Sequence, residues 1–234
     1  MSFNQRQREI LDLLSERGEL SIHHLEEIFQ VSSMTIRRDL GFLAEQHKII
    51  RTHGGAMRYP ALIHETEYSS KSMSQVIQKQ KIADEALKKI KSQMTILLDS
   101  GTTTLQLAKR IKERDDLTII TNDVSIMYEL IDCPSTVIST GGTIQKDVGS
   151  LLGPHAAQLL KNVNVDLCFT GIHAIHTEAG LTVPTLEKAQ IKRMMIEAAT
   201  EAWVLCDSTK LMKTSLAKVC NIDEIAGIIT DEEG

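Results

Sequence analysis

The run Asp99-Ser100-Gly101-Thr102-Thr103-Thr104 has the residue types of an anion site. Gly101 permits a tight turn. The hydroxyls and successive backbone N–H groups can then face an anion at the start of a following helix. An ordinary strand-to-helix turn with serine and threonine caps would use the same residues. Asp207-Ser208-Thr209-Lys210 forms a second run. A lysine just past a strand end can neutralise a phosphate or carboxylate, although most single lysines are surface residues. Thr121-Asn122-Asp123, Thr140-Gly141-Gly142 and Gly171 are small, polar and glycine-rich in the same way.

A different chemistry is suggested near the N-terminus. Between residues 33 and 58 the bases Arg37, Arg38, Lys48, Arg51 and Arg58 face only two acids, Asp39 and Glu45. The chain as a whole carries a net charge of −5, so this is a local phosphate-binding footprint and not a global one. A helix over Ser33–Gln46 would bury Ile36, Leu40 and Leu43 at i, i+4 and i+7. At about 100° per residue, Met34, Arg38 and Gly41 then point away from the core, flanked by Thr35 and Arg37. Such a face suits the major groove, and a solvated charged face would look alike.

Other chemistries find less support. Aromatic residues make up 3% of the chain, too few for broad base-stacking platforms. The sequence has neither a P-loop triphosphate motif nor a GxGxxG turn after a strand. His173 and His176, and the pair His23-His24, lack a third metal ligand at useful spacing. No metal and no cofactor are expected. The four cysteines, Cys133, Cys168, Cys206 and Cys220, form no CxxC pair, and three lie in or beside apolar runs. Without a signal peptide or a membrane-length apolar run, the chain reads as cytoplasmic, with no membrane partner.

The elements that must hold these residues follow from patterning. Asn4-Gln-Arg-Gln7 opens a first helix and Gly18 stops it; Ser21 caps a second and Ser32 a third. Ile49–Thr52, a turn at His53-Gly54-Gly55 and a return through Ala56–Arg58 make a small basic hairpin, the wing of a winged helix. Pro60 ends it, and residues 59–70 read as a connection. A helical pattern returns over Met73–Ile90. Strand candidates then alternate with helices: Met94–Leu98, Leu117–Thr121, Thr136–Ser139, Val165–Thr170, Ala202–Cys206 and Ile225–Thr230. The helices between them are Thr104–Glu113, Val124–Leu130, His155–Leu160 and Leu186–Ala199. This alternation predicts an α/β, Rossmann-like domain with a mostly parallel sheet and helices on both faces. Ligands of such sheets bind beyond the carboxyl ends of the strands, where the polar runs fall. The methionines near Arg193 read as core or subunit interface.

Two sets of motifs resemble one family. Arg6-x3-Ile10-x3-Leu14, Ser32-x2-Thr35-Ile36-Arg37-Arg38-Asp39-Leu40 and Arg51-Thr-His-Gly-Gly-Ala56 resemble the winged helix-turn-helix of the DeoR family of bacterial repressors. Asp99–Thr104, Thr121-Asn122, Gly141-Gly142, Gly180-Leu181-Thr182, Glu187-Lys188 and Cys206–Lys210 are similar to that family's effector domain, which is like ribose-5-phosphate isomerase in fold. The resemblance implies a repressor of a carbohydrate-metabolism operon, released by a phosphorylated sugar or polyol. Its partners would be double-stranded operator DNA, that effector, and further copies of itself in a dimer or tetramer. Residues 1–58 would bind DNA, and residues 71–234 would sense the effector and oligomerise. Ser33, Met34, Thr35, Arg37 and Arg38 would contact the major groove, and Arg51, His53 and Arg58 the backbone or minor groove. Ser100 to Thr103 would hold the phosphate; Asn122, Gly142, Asp207 and Lys210 would line the sugar site, with Lys81 beside it and Asp99 among the effector-binding residues. Family members usually continue into a further helix and strand. The stop at Asp231–Gly234 therefore implies truncation or a differently organised edge.

The competing class is a sugar-phosphate isomerase with an accessory DNA-binding domain. That chemistry needs a carboxylate base beside the substrate carbons. The isomerase pattern has an Asp-Gly-Ala-Asp-Glu run where this chain reads Thr170-Gly171-Ile172-His173-Ala174. Glu187 remains, but a glutamate there also suits a helix start. Binding without turnover is therefore expected.

Overall fold

The computed structural model describes residues 4–46, 48–52, 54–58, 74–146 and 148–231. The contacts divide the chain into two units, residues 1–61 and 62–234.

The first unit has three helices, α1 (Gln5–Arg17), α2 (Ile22–Phe29) and α3 (Ser33–Glu45). Asn4 and Gln7 form a reciprocal capping box on α1, and Gly18 ends it with φ of 78°. Ser21 caps α2 by accepting from His24 N. Ser32 departs from expectation. It holds the cap position of α3 but makes no capping bond, because its Oγ is engaged with Thr35 Oγ1 at 3.1 Å. The wing pair is β2 (Ile49–Arg51) and β3 (Gly55–Arg58). A third strand, β1 (Glu19–Ser21), pairs antiparallel with β3 and gives the order β1-β3-β2. Gly55 allows that pairing, since a Cβ there would lie 2.1 Å from Leu20 O. Ile10, Leu14, Leu25, Ile36, Leu40 and Leu43 are fully buried in one core.

The second unit begins, among the described residues, with α4 (Val76–Leu87). Its main sheet comprises β4 (Thr95–Leu98), β5 (Thr118–Thr121), β6 (Thr136–Ser139), β9 (Val165–Gly171), β12 (Ala199–Leu205) and β14 (Gly227–Ile229). The spatial order is β14-β12-β9-β4-β5-β6, and every neighbouring pair is parallel. These strands match the six sequence candidates to within a few residues. Alternate β4 side chains enter different cores. Ile96 and Leu98 pack with α4, α5 (Thr102–Ile111) and α6 (Val124–Glu129). Leu97 packs with α7 (Pro154–Leu160) and α8 (Leu186–Glu197). Covering on both faces explains why the strands read as continuous apolar runs.

Five further strands were not expected from sequence. β7 (Thr143–Gln145) and β8 (Ser150–Leu152) form an antiparallel hairpin. β10 (Ala174–His176), β11 (Gly180–Val183) and β13 (Ala217–Cys220) form a small antiparallel sheet. In the main sheet the chain runs from β4 outward to β6, then crosses to the other side of β4 for β9, β12 and β14. The switch point therefore lies between the carboxyl ends of β4 and β9.

Candidate nucleic-acid interface and anion cavity

On α3 the buried stripe fixes the outward face. Ile36, Leu40 and Leu43 have no exposed surface, whereas Met34 is 79% exposed. Arg37 and Arg38 are exposed; Ser33 and Thr35 are half-buried beside them. Arg51 is exposed on β2. The Arg58 backbone pairs with Ile49, while its side chain, like His53, lies outside the described residues. Asp39 does not share the outward face. It is buried, accepting from Arg6 Nε at 2.6 Å and from Gln7 Nε2 at 3.0 Å. Its position three residues after Ile36 and next to Leu40 was the available signal for burial.

In the second unit a cavity opens at the switch point. Ser100, Gly101, Thr102, Thr103 and Thr104 line it after β4, Gly171, Ile172 and His173 at the end of β9, and Cys206, Asp207 and Lys210 after β12. The sheet thus brings three sequence-distant runs to one rim. Gly101 sits at the N-terminus of α5, and no side-chain cap is made there. By contrast Asp123 caps α6, accepting from Ser125 N and Ile126 N, and Thr185 caps α8. The open first turn of α5 leaves backbone donors and the positive end of the helix dipole for an anion.

Four lysines line the cavity: Lys79, Lys188, Lys192 and Lys210. The first three are almost wholly buried. Lys192 pairs with Asp99, itself 1% exposed, and also donates to Gly171 O at 2.9 Å. The same Asp99 oxygen accepts from Thr170 Oγ1 at 2.8 Å and Gly171 N at 3.0 Å. Asp99 is thus a buttress beneath the rim and not a lining residue. The acids near these lysines are Asp207 in the lining, Asp99 beneath it, and Asp123, which accepts from Gly101 N at 3.1 Å. Burial chiefly, with the Asp207 charge beside it, pushes the Cys206 thiol up to about 12, so it stays protonated.

Besides Asp99, three sequence-predicted residues fall outside the lining. Lys81 is exposed on α4, because Lys79 and not Lys81 shares the face of Ile82, Ala83 and Ala86. Asn122 is buried, with Nδ2 3.4 Å from both Ser150 Oγ and Leu151 O. Gly142 serves the hairpin: φ is 115°, and a Cβ would meet Leu152 O at 2.4 Å. Glu187 is exposed in the first turn of α8, whereas its neighbour Lys188 turns inward. Among the described residues no three His, Cys, Asp or Glu side chains converge as a metal site, and no helix is long and apolar enough to cross a membrane.

Comparison with known proteins agrees with this division. The DeoR-like helix-turn-helix domain matches residues 6–59, and the DeoR C terminal sensor domain matches residues 74–232. The HTH-type transcriptional regulator GlpR of Haloferax volcanii is 32% identical over 227 residues, covering 97% of this chain and 89% of that protein. The putative aga operon transcriptional repressor of Escherichia coli O157:H7 is 31% identical over 232 residues, covering 98% and 86%. Among solved structures, eIF2B delta from Chaetomium thermophilum aligns over 69% of this chain and 58% of its own, with a TM-score of 0.52 at 17% identity, a likeness of fold alone. The chain belongs to the DeoR family of transcriptional regulators, with a DeoR-like helix-turn-helix and a DeoR C-terminal sensor domain.

Proposed function

We propose that this protein represses a carbohydrate-metabolism operon and leaves its operator when a small phosphorylated sugar or polyol fills the cavity. The uncapped start of α5 beneath four lysines carries the reading. A phosphate monoester near pH 7 bears about 1.5 to 2 negative charges, which suits a cavity lined by several lysines. In this scheme Ser100 to Thr103 take the phosphate, while Lys210 and Asp207 reach the rest of the ligand. Ser33, Met34, Thr35, Arg37 and Arg38 read the major groove, and Arg51 touches the backbone. Residues 1–58 serve DNA, 59–70 connect, and 71–234 sense and oligomerise. Two or four copies place their winged domains on repeated half-sites. Working on DNA, the protein acts in the cytoplasm. The effector favours the arrangement that fits DNA poorly, and it must bind that arrangement more tightly, since equal affinity shifts nothing.

A thermal-shift screen against paired sugars with and without phosphate tests the sensor half. A ligand at about a hundred times its dissociation constant stabilises the native state by roughly 2.7 kcal/mol. Stabilisation by phosphorylated compounds alone is the expected result. No shift with any phosphorylated compound overturns the cavity assignment and leaves DNA binding standing.

A further inference from the structure

Arg6, on α1 and outside the third helix and the wing, lies in a surface groove with Thr35, Arg38 and Asp39. Its guanidinium is held from one edge: Nε donates to Asp39 Oδ2 at 2.6 Å. The carboxylate is itself fixed, because Oδ1 accepts from Gln7 Nε2 at 3.0 Å and the side chain is only 7% exposed. The Arg6 side chain is 31% exposed. No acceptor among the described residues meets its two terminal nitrogens. A guanidinium offers five donors in a rigid fork, and those free nitrogens match two phosphate oxygens. An arginine turned loose in solvent would lose side-chain entropy on binding; one already oriented by a buried acid loses less.

We propose that Arg6 is a DNA-phosphate contact, pre-oriented by Asp39 as its positioning residue, so that α1 clamps the backbone beside the groove read by α3. The proposal rests on α3 being the reading helix. It gives the acid in an otherwise basic stretch a role: Asp39 aims a second cation at DNA and does not oppose it.

The test uses the full chain and two short duplexes, one of mixed sequence and one recovered from a random pool by the wild-type protein. Anisotropy titrations run across a salt series. Arg6→Ala is expected to weaken binding to both duplexes about tenfold. It should also flatten the slope of log affinity against log salt by about 0.9, the signature of one lost phosphate contact. Discrimination between the duplexes stays at the wild-type ratio, because phosphates carry no sequence information. Asp39→Asn weakens binding in the wild-type background and has little further effect in Arg6→Ala. Melting curves check that each variant is folded at the assay temperature. Arg6→Lys covers the case in which Arg6→Ala unfolds: it keeps the charge opposite Asp39 but lacks the free edge of the fork, so affinity falls there too. Wild-type affinity in Arg6→Lys, or an unchanged salt slope in a folded Arg6→Ala, overturns the proposal. A loss of discrimination in Arg6→Ala overturns the phosphate assignment in favour of a base contact. If Arg38→Ala leaves affinity unchanged while Arg6→Ala weakens it, the reading helix fails and the Arg6 contact stands.

Discussion

Asp123 Oδ2 accepts the Gly101 amide hydrogen at 3.1 Å, so the acid that caps α6 also fixes the start of α5. Burial is the main cause that raises the Asp123 carboxyl to about 6, with the nearby Asp99 charge adding to it. Its folded-state value lies above the unfolded one. The folded protein therefore holds the proton longer, and this group's contribution to stability falls as pH rises from about 4 to about 6. The full change amounts to about 3 kcal/mol. Melting of wild type and Asp123→Asn across that range is expected to show wild type losing its relative advantage as pH rises. A constant difference between the two would show that Asp123 does not titrate there.

The pair Lys192–Asp99 is buried on both sides. Removing the cation leaves a carboxylate with two neutral donors, Thr170 Oγ1 and Gly171 N. Lys192→Met is expected to cost about 3–5 kcal/mol in chemical denaturation. The double variant with Asp99→Asn recovers part of that loss. A single-variant cost within experimental error would mean that the pair does not hold α8 to the rim.

Arg38 and Lys210 should separate the two activities. Arg38→Ala is expected to lower DNA affinity by about 1–3 kcal/mol, with the ligand-induced thermal shift unchanged. Lys210→Ala should do the reverse, keeping DNA affinity and blunting release by effector. Titrations of DNA and ligand on both proteins check this. Loss of DNA affinity in Lys210→Ala, or of ligand response in Arg38→Ala, breaks the division of labour.

Gly55 tests the third strand of the wing. A methyl group there meets Leu20 O at 2.1 Å, so Gly55→Ala must separate β1 from β3. A destabilisation of at least about 1–3 kcal/mol is expected, in the range of overpacking. Hydrogen exchange of the Leu20 and Ala56 amides should rise first. Unchanged protection would show that β1 is not paired as described.

The six parallel strands were legible because burial on both faces writes them as apolar runs between turn residues. Strands of three residues, such as β7, β8 and β10, are too short for alternation to register. The Ser100–Thr104 run, Asp207 and Lys210 were readable as rim residues because cavities in such sheets open at the strand ends. Lys192 was not, since in sequence it resembles any surface lysine beside Arg193 and its partner Asp99 is 93 residues away. Lys81 rested on the resemblance alone, whereas helix phase points to Lys79: Ile82, Ala83 and Ala86 define the inner face, and position 79 shares it. Asp39 was read as one acid among bases, although its place in the stripe of Ile36 and Leu40 marked it for burial.

The most direct test is release from DNA. The full chain is bound to a labelled duplex that it selected from a random pool, and phosphorylated and unphosphorylated members of sugar and polyol pairs are titrated in. Anisotropy is expected to fall with at least one phosphorylated member, to stay unchanged with its neutral counterpart, and to stay unchanged with both in Lys210→Ala. Release by neutral sugars to the same extent, or by the phosphorylated compound equally in Lys210→Ala, contradicts a phosphate sensor at the β4–β9 switch point.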